Sequence, residues 1–209
     1  MSPVRPKSPF EFRGGNPCLD FANTVGDRIT DHPLELITDY GRVLQWGEEA
    51  GVITVKTAQR LRHLASEAPG NALTTLRTSI QLRDTIYDIF TAIGHRRAIP
   101  STALTVLNKS VRQAAQHAQI VRVNRRFTWE WIDPENNLES VLWPISRAAA
   151  ELLNGEEIGY VRQCASETCS VLFVDQTKNH RRRWCDMRIC GSRDKARRYY
   201  LRRKARYAR

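Results

Sequence analysis

The sequence predicts an α+β chain: a mostly helical N-terminal domain with a small antiparallel sheet, followed by a short cysteine-bearing module. Three observations carry that prediction. Apolar residues recur at helical spacing through most of the first 155 positions, interrupted by one alternating stretch. Four of the five cysteines fall within 27 residues near the C-terminus. The charge is split: residues 178–209 hold 14 Lys and Arg against two Asp and Glu, a net of +12, whereas the first 177 hold 19 against 20, a net of −1.

The length of 209 residues suits one core-bearing domain plus a small module. The expected division is 1–157 and 158–209, with the joint in the glycine-flanked stretch 155–159. No run approaches the roughly 20 apolar residues of a membrane-spanning helix. The first ten residues are rich in Pro and charge and lack an apolar core, so they do not read as a secretory signal. The expected place is the cytoplasm, with no membrane partner.

The elements follow in order. Residues 10–13 are extended, and Gly14-Gly15 breaks them. Asn16 caps a helix over 17–25 that starts with Pro17. A second helix is expected over 33–50 and a third from Thr54 to the Pro69-Gly70 break. A long fourth covers 72–97, and a fifth, capped by Ser101, reaches about Gln119. Alternating and aromatic residues over 120–132 then predict a hairpin, and 138–153 a last helix.

The module has the spacing Cys164-x4-Cys169-x15-Cys185-x4-Cys190. Clustered cysteines in a reducing compartment favour metal over disulfides. Four thiolates close a tetrahedral site around one structural Zn2+ and leave no position for substrate water. Between the pairs, Val171 to Val174 form a compact apolar strand, and residues 182–184 are expected to return as its partner. A helix opens near Ser192. Knuckle, hairpin, then a helix whose start supplies the last ligands is the order of a treble-clef zinc finger.

In that final helix Ala196, Tyr199, Tyr200 and Tyr207 share one side, and basic residues cover most of the rest. Arg193, Lys195, Arg197, Arg198 and Arg202 on the helix, with Arg181, Arg182 and Arg183 before it, are the candidate phosphate contacts. The expected partner is DNA. RNA and an acidic protein suit the same charge.

At these residues the chain resembles a known family. Cys164-x4-Cys169, Leu172-Phe173-Val174-Asp175, Arg182-Arg183-Trp184-Cys185-x-Met187 and Cys190-Gly191-Ser192-Arg193-x-Lys195 resemble the CGNR zinc finger. Gly14-Gly15-x-x-x-Leu19-Asp20-Phe21-x-Asn23-Thr24-Val25 resembles the start of the ABATE domain that precedes it. Ser192 stands where the name-giving motif has Asn, and serine still caps a helix. The resemblance implies a stress-induced transcription regulator: a finger for DNA, and an N-terminal domain that binds an unknown small ligand.

Arg83 projects from the broad apolar face of the long helix. A buried guanidinium needs a partner, and Asp20 or Asp84 would serve. Alternatively it anchors an acidic small molecule, with Asp20, Asn23 and Thr24 supplying further polar contacts. Dimerisation through the same domain is a further expectation, since many DNA regulators read paired half-sites. No Gly-x-Ser-x-Gly, phosphate loop or His pair at metal spacing is present, so the chain is not expected to be an enzyme.

Overall fold

In a computed structural model describing residues 8–207, and side chains as far as residue 204, regular structure begins at Pro17. The non-secretory reading of the first ten residues falls mostly outside this range, as does the Tyr207 side chain. The Asn16 side chain accepts from the Cys18 amide and starts α1 (Pro17–Ala22), which buries Cys18, Leu19, Phe21 and Ala22. Gly14 lies so close to this helix that a Cβ there would meet Leu19 Cβ and the Asp20 nitrogen at 2.9 Å.

Two expectations for this region are corrected. Helix α1 stops at Ala22 rather than near residue 25, and Val25–Gly26 forms β1. Residues 33–35 do not start a helix. Leu34–Glu35 forms β2, antiparallel to β1 with Val25 opposite Glu35. The helix there, α2 (Tyr40–Glu49), starts later, because the Asp39 side chain takes the Arg42 amide and offers a stronger start than Pro33.

Thr54 caps α3 (Val55–Glu67) as expected. Pro69 opens α4 (Pro69–Gly94) instead of merely ending α3, since a first-turn proline sacrifices no helical hydrogen bond. Helix α5 (Ser101–Ala115) has Pro100 at its cap, with Ser101 as first residue. The expected hairpin forms: β3 (Ala118–Val123) pairs with β4 (Arg126–Trp131), Ile120 opposite Trp129. A 3-10 segment, Leu138–Leu142, leads into α6 (Trp143–Asn154).

Helix α1 sits in the middle of the core and packs on α4 and α6. Phe21 meets Trp46 of α2 with ring centroids 4.8 Å apart. Leu82, Ile86 and Phe90 of α4 and Ile145 and Ala149 of α6 belong to the same buried cluster.

The module contributes β5 (Val161–Gln163), β6 (Leu172–Val174) and α7 (Ser192–Tyr207). Here the expected pairing is corrected. Strand β6 pairs with β5, which precedes the first cysteine, and not with residues 182–184. The returning segment bonds to the knuckle instead, with Ala165 N–H donating to the Arg183 carbonyl at 2.8 Å. Strand β6 is buried on both faces. Val161, Leu172 and Val174 join the helical core, while Phe173 points the other way into a second cluster with Cys164, Cys185 and Cys190. That is why its sequence is a continuous apolar run instead of an alternation.

Candidate metal centre and nucleic-acid interface

Cys164 and Cys169 bracket a knuckle stacked against the end of β5. Cys185 follows the basic segment. Cys190 lies in a wide π-type turn, Met187–Gly191, that runs straight into α7. Asp186 starts this turn by accepting from the Arg188 and Ile189 amides at 2.7 and 3.1 Å. The four sulfurs lie within 4.8 Å of one another. The Cys169–Cys185 and Cys185–Cys190 separations are 3.7 Å. A tetrahedron of thiolates about 2.3 Å from zinc has edges of about 3.8 Å, which these two separations match. The Cys185 amide points at Cys164 Sγ from 3.4 Å, as a donor to a thiolate would.

Electrostatics make the same point. Sulfur hydrogen bonds from Cys169 and Cys185 hold Cys164 low, and the Cys164 thiolate in turn pushes Cys169 and Cys185 up. Four thiols this close cannot all ionise unless a cation neutralises them. The four cysteines are therefore the ligand set of one structural zinc ion. Trp184, Val171 and Phe173 wall it from water.

The loop between the cysteine pairs is organised by Asp175, to which sequence reasoning assigns no role. It is fully buried. Its carboxylate accepts from the Thr177 hydroxyl at 2.6 Å, the Thr177 amide at 3.0 Å and the Arg182 amide at 2.7 Å. Burial opposes its ionisation, but these bonds prevail and hold its pKa below the usual carboxylate value. The Asp-x-Thr order is the available signal, since a short acceptor two residues before a donor closes such a turn.

The candidate phosphate contacts divide by environment. Arg182 is committed internally: its Nε donates to the Trp184 carbonyl, its Nη2 to the Cys185 carbonyl, and its guanidinium lies over Phe173. Arg193 donates to Thr168 Oγ1 at 2.9 Å, and Arg197 pairs with Glu167, so both tie α7 to the knuckle. Arg198 pairs with Asp194 one turn away. Arg183 lies over Trp184, and Arg202 Nε reaches the Arg198 carbonyl at 3.3 Å. Arg181 and Lys195 are exposed. Arg188, exposed in the turn beside Cys190, adds a charge outside the set that the sequence singles out. Tyr199, Tyr200 and Leu201 are exposed as well, so the described side chains of α7 form no buried face.

Residues 15–156 match the ABATE family, described as "putative stress-induced transcription regulator", and residues 160–203 match the CGNR zinc finger. The chain belongs to the ABATE family. Its C-terminal module is a CGNR finger. No curated protein matches it. Among the described residues no helix is long and apolar enough to cross a membrane.

In this ABATE chain the four candidate ligand contacts each have a partner within the protein. Arg83, buried, pairs with Glu35 at 2.5 Å and Asp84 at 3.1 Å. Asp84 is shared with Arg28 at 2.7 Å. The suggested Arg83–Asp20 pair does not form, because the Asp20 carboxylate accepts from the Gly14 amide at 2.6 Å. Thr24 donates to the Phe21 carbonyl. Asn23 donates to the Leu172 carbonyl and accepts from the Leu172 amide. Sequence reasoning misses Glu35 because it expects a helix where β2 lies.

Proposed function

We propose that this protein is a DNA-binding transcription regulator whose CGNR finger places α7 against duplex DNA. The observation that carries the reading is an exposed basic helix whose first turn is anchored at a zinc ligand. Cys190 fixes the turn from which α7 springs, and Arg193 and Arg197 brace it on the knuckle. A rigid base lets a charged helix present its side chains in one register. Arg181, Arg183, Arg188, Lys195 and Arg202 are the phosphate contacts of this reading, with Arg198 released from Asp194 on contact. The N-terminal domain would then sense a small ligand, and the place of action would be the cytoplasm. Catalysis is not part of the proposal.

RNA is the second reading, and one feature favours it. Exposed Tyr199 and Tyr200 among arginines suit stacking on unpaired bases. Competition between duplex DNA and single-stranded RNA for the zinc-loaded protein separates the two. Displacement of bound duplex only by excess duplex supports the regulator, and preferential displacement by RNA overturns it.

A further inference from the structure

Between the N-terminal domain and the finger lies a cleft of about 360 Å³, within the size range of small-molecule sites. Strands β1 and β2 supply one wall. The zinc knuckle and the π-type turn supply the other, joined by Arg193 of α7. The apolar lining comes from both: Val25, Leu34 and Leu36 from the domain, Val171 and Ile189 from the finger. Leu34 is 57% exposed and Ile189 40%, so apolar surface is left uncovered there.

Four charged side chains also line the cleft, and two of them cancel. Glu11 and Arg13 pair at 2.6 Å. The other two, Asp27 and Arg193, have no ion pair among the described residues. Asp27 sits in the turn after β1, where its carbonyl accepts from the Thr30 amide and hydroxyl at 2.9 and 2.8 Å. Its neighbour Arg28 is taken by Asp84 at 2.7 Å, so the Asp27 carboxylate keeps its charge uncompensated. Arg193 donates to Thr168 Oγ1, a neutral group. The acids beside these two residues are committed elsewhere: Glu167 pairs with Arg197, and Asp194 with Arg198. The cleft thus holds one uncompensated carboxylate on the domain side and one uncompensated guanidinium on the finger side.

We infer that this cleft binds a free α-amino acid with an apolar side chain, its ammonium on Asp27, its carboxylate on Arg193 and its side chain against Leu34, Leu36 and Ile189. Charge-assisted hydrogen bonds are the strong ones, and here the two available partners have opposite sign and sit on separate walls. That selects a ligand carrying both charges. A simple acid suits the site less well. Cys169 and Cys190, two thiolates of a zinc centre whose net charge is negative, line the same cleft, whereas a zwitterion brings no net charge. The bond to Arg193 gives the site its consequence. Arg193 ties α7 to the knuckle at Thr168, and both residues line the cleft. A bound amino acid therefore joins β1–β2 to the base of α7, and duplex affinity depends on its presence. This consequence, though not the binding itself, rests on the regulator reading above.

The test uses the zinc-loaded full chain without nucleic acid, titrated with leucine and with phenylalanine in a calorimeter. Saturable binding of at least one of them is expected. N-acetyl-leucine lacks the ammonium and leucinamide the carboxylate, and each should bind weaker than leucine by about tenfold, the loss of one charge-assisted bond. Asp27→Asn should weaken leucine by about tenfold and erase its advantage over N-acetyl-leucine. Arg193→Gln should erase its advantage over leucinamide. Both variants should keep their zinc, and Asp27 lies outside the finger, so its variant is decisive even where a loosened α7 disturbs the metal site. Leucine should then shift duplex affinity by at least about fivefold in the wild type and not in Asp27→Asn. Absence of binding to either amino acid at millimolar concentration overturns the inference. So does equal affinity for the singly charged analogues, or leucine binding that Asp27→Asn leaves unchanged. A duplex affinity indifferent to bound leucine overturns the coupling. A chain that binds leucine and no duplex keeps the site and sinks the regulator reading.

Discussion

The side-chain amide of Asn23 forms both hydrogen bonds of a strand partner with Leu172, donating to its carbonyl and accepting from its amide at 2.9 Å each. The two residues are 149 positions apart. Just along β6, the Val174 amide donates to the Gly14 carbonyl at 2.8 Å. The start of the ABATE domain thus supplies the missing neighbour on the open edge of β6, and the finger's hairpin is built into the N-terminal core. Asn23→Ala strands two backbone groups of Leu172 and should destabilise the protein by about 2–4 kcal/mol. Urea unfolding followed by tryptophan fluorescence checks this, with the midpoint falling. An unchanged midpoint would show that water replaces the asparagine at no cost.

Loss of zinc should divide the finger unevenly. Strands β5 and β6 are held by the main core through Val161, Leu172 and Val174, whereas residues 175–191 and the base of α7 rest on the metal. Cys185→Ser or chelation should therefore free the amides of 175–204 to exchange while those of 161–163 and 172–174 stay protected. Hydrogen exchange read by segment distinguishes this from loss of the whole module.

Asp20 carries a pH signature. Burial pushes its carboxyl up to about 6, against the lowering effect of the Gly14 and Arg13 amides. A raised folded pKa means the folded state holds the proton more tightly than the unfolded chain. Stability from this group is fully present below the unfolded value near 4 and declines as pH rises towards 6. Asp20→Asn keeps the acceptor for Gly14 and should remove that decline, stabilising the protein at pH 7 by about 1–3 kcal/mol. Thermal unfolding of both proteins from pH 4 to pH 7 reads the difference.

Arg197→Ala with Arg198→Ala removes the phosphate contact Arg198 together with the bracing cation Arg197 and leaves the thiolates untouched. Zinc content should be unchanged and duplex affinity should fall. The slope of log K against log salt should shrink by about 0.9 for each phosphate that is no longer neutralised. Because Arg197 also braces the helix on Glu167, Glu167→Gln is the control: it loosens the brace while keeping the cation. A slope change in the control as large as in the double variant would make the brace, rather than phosphate neutralisation, the cause.

The metal centre is legible in the sequence alone. Four thiolates at short spacing are a local signal that no tertiary context has to complete. Helix α3 and the β3–β4 hairpin are legible too, because the Thr54 cap and the alternation agree with the structure there. The partner of β6 is not. An apolar run buried on both faces says nothing about which neighbour it chooses, and three-residue strands are decided by packing. Glu35 is hidden for a related reason: a two-residue strand leaves no period to read, and Pro33 resembles a helix start. Tyr199 and Tyr200 show the opposite failure. They share a helical side, as a buried stripe would, yet both are exposed.

Duplex DNA is the proposed partner of the zinc-anchored helix. The most direct test is selection of random duplex DNA on the zinc-loaded protein across a salt series, with sequencing of what is retained and a parallel sample stripped of zinc. Binding through the zinc-anchored helix should give an enriched sequence, a steep loss of binding with salt, and no enrichment without the metal. Absence of duplex binding at low salt would contradict it.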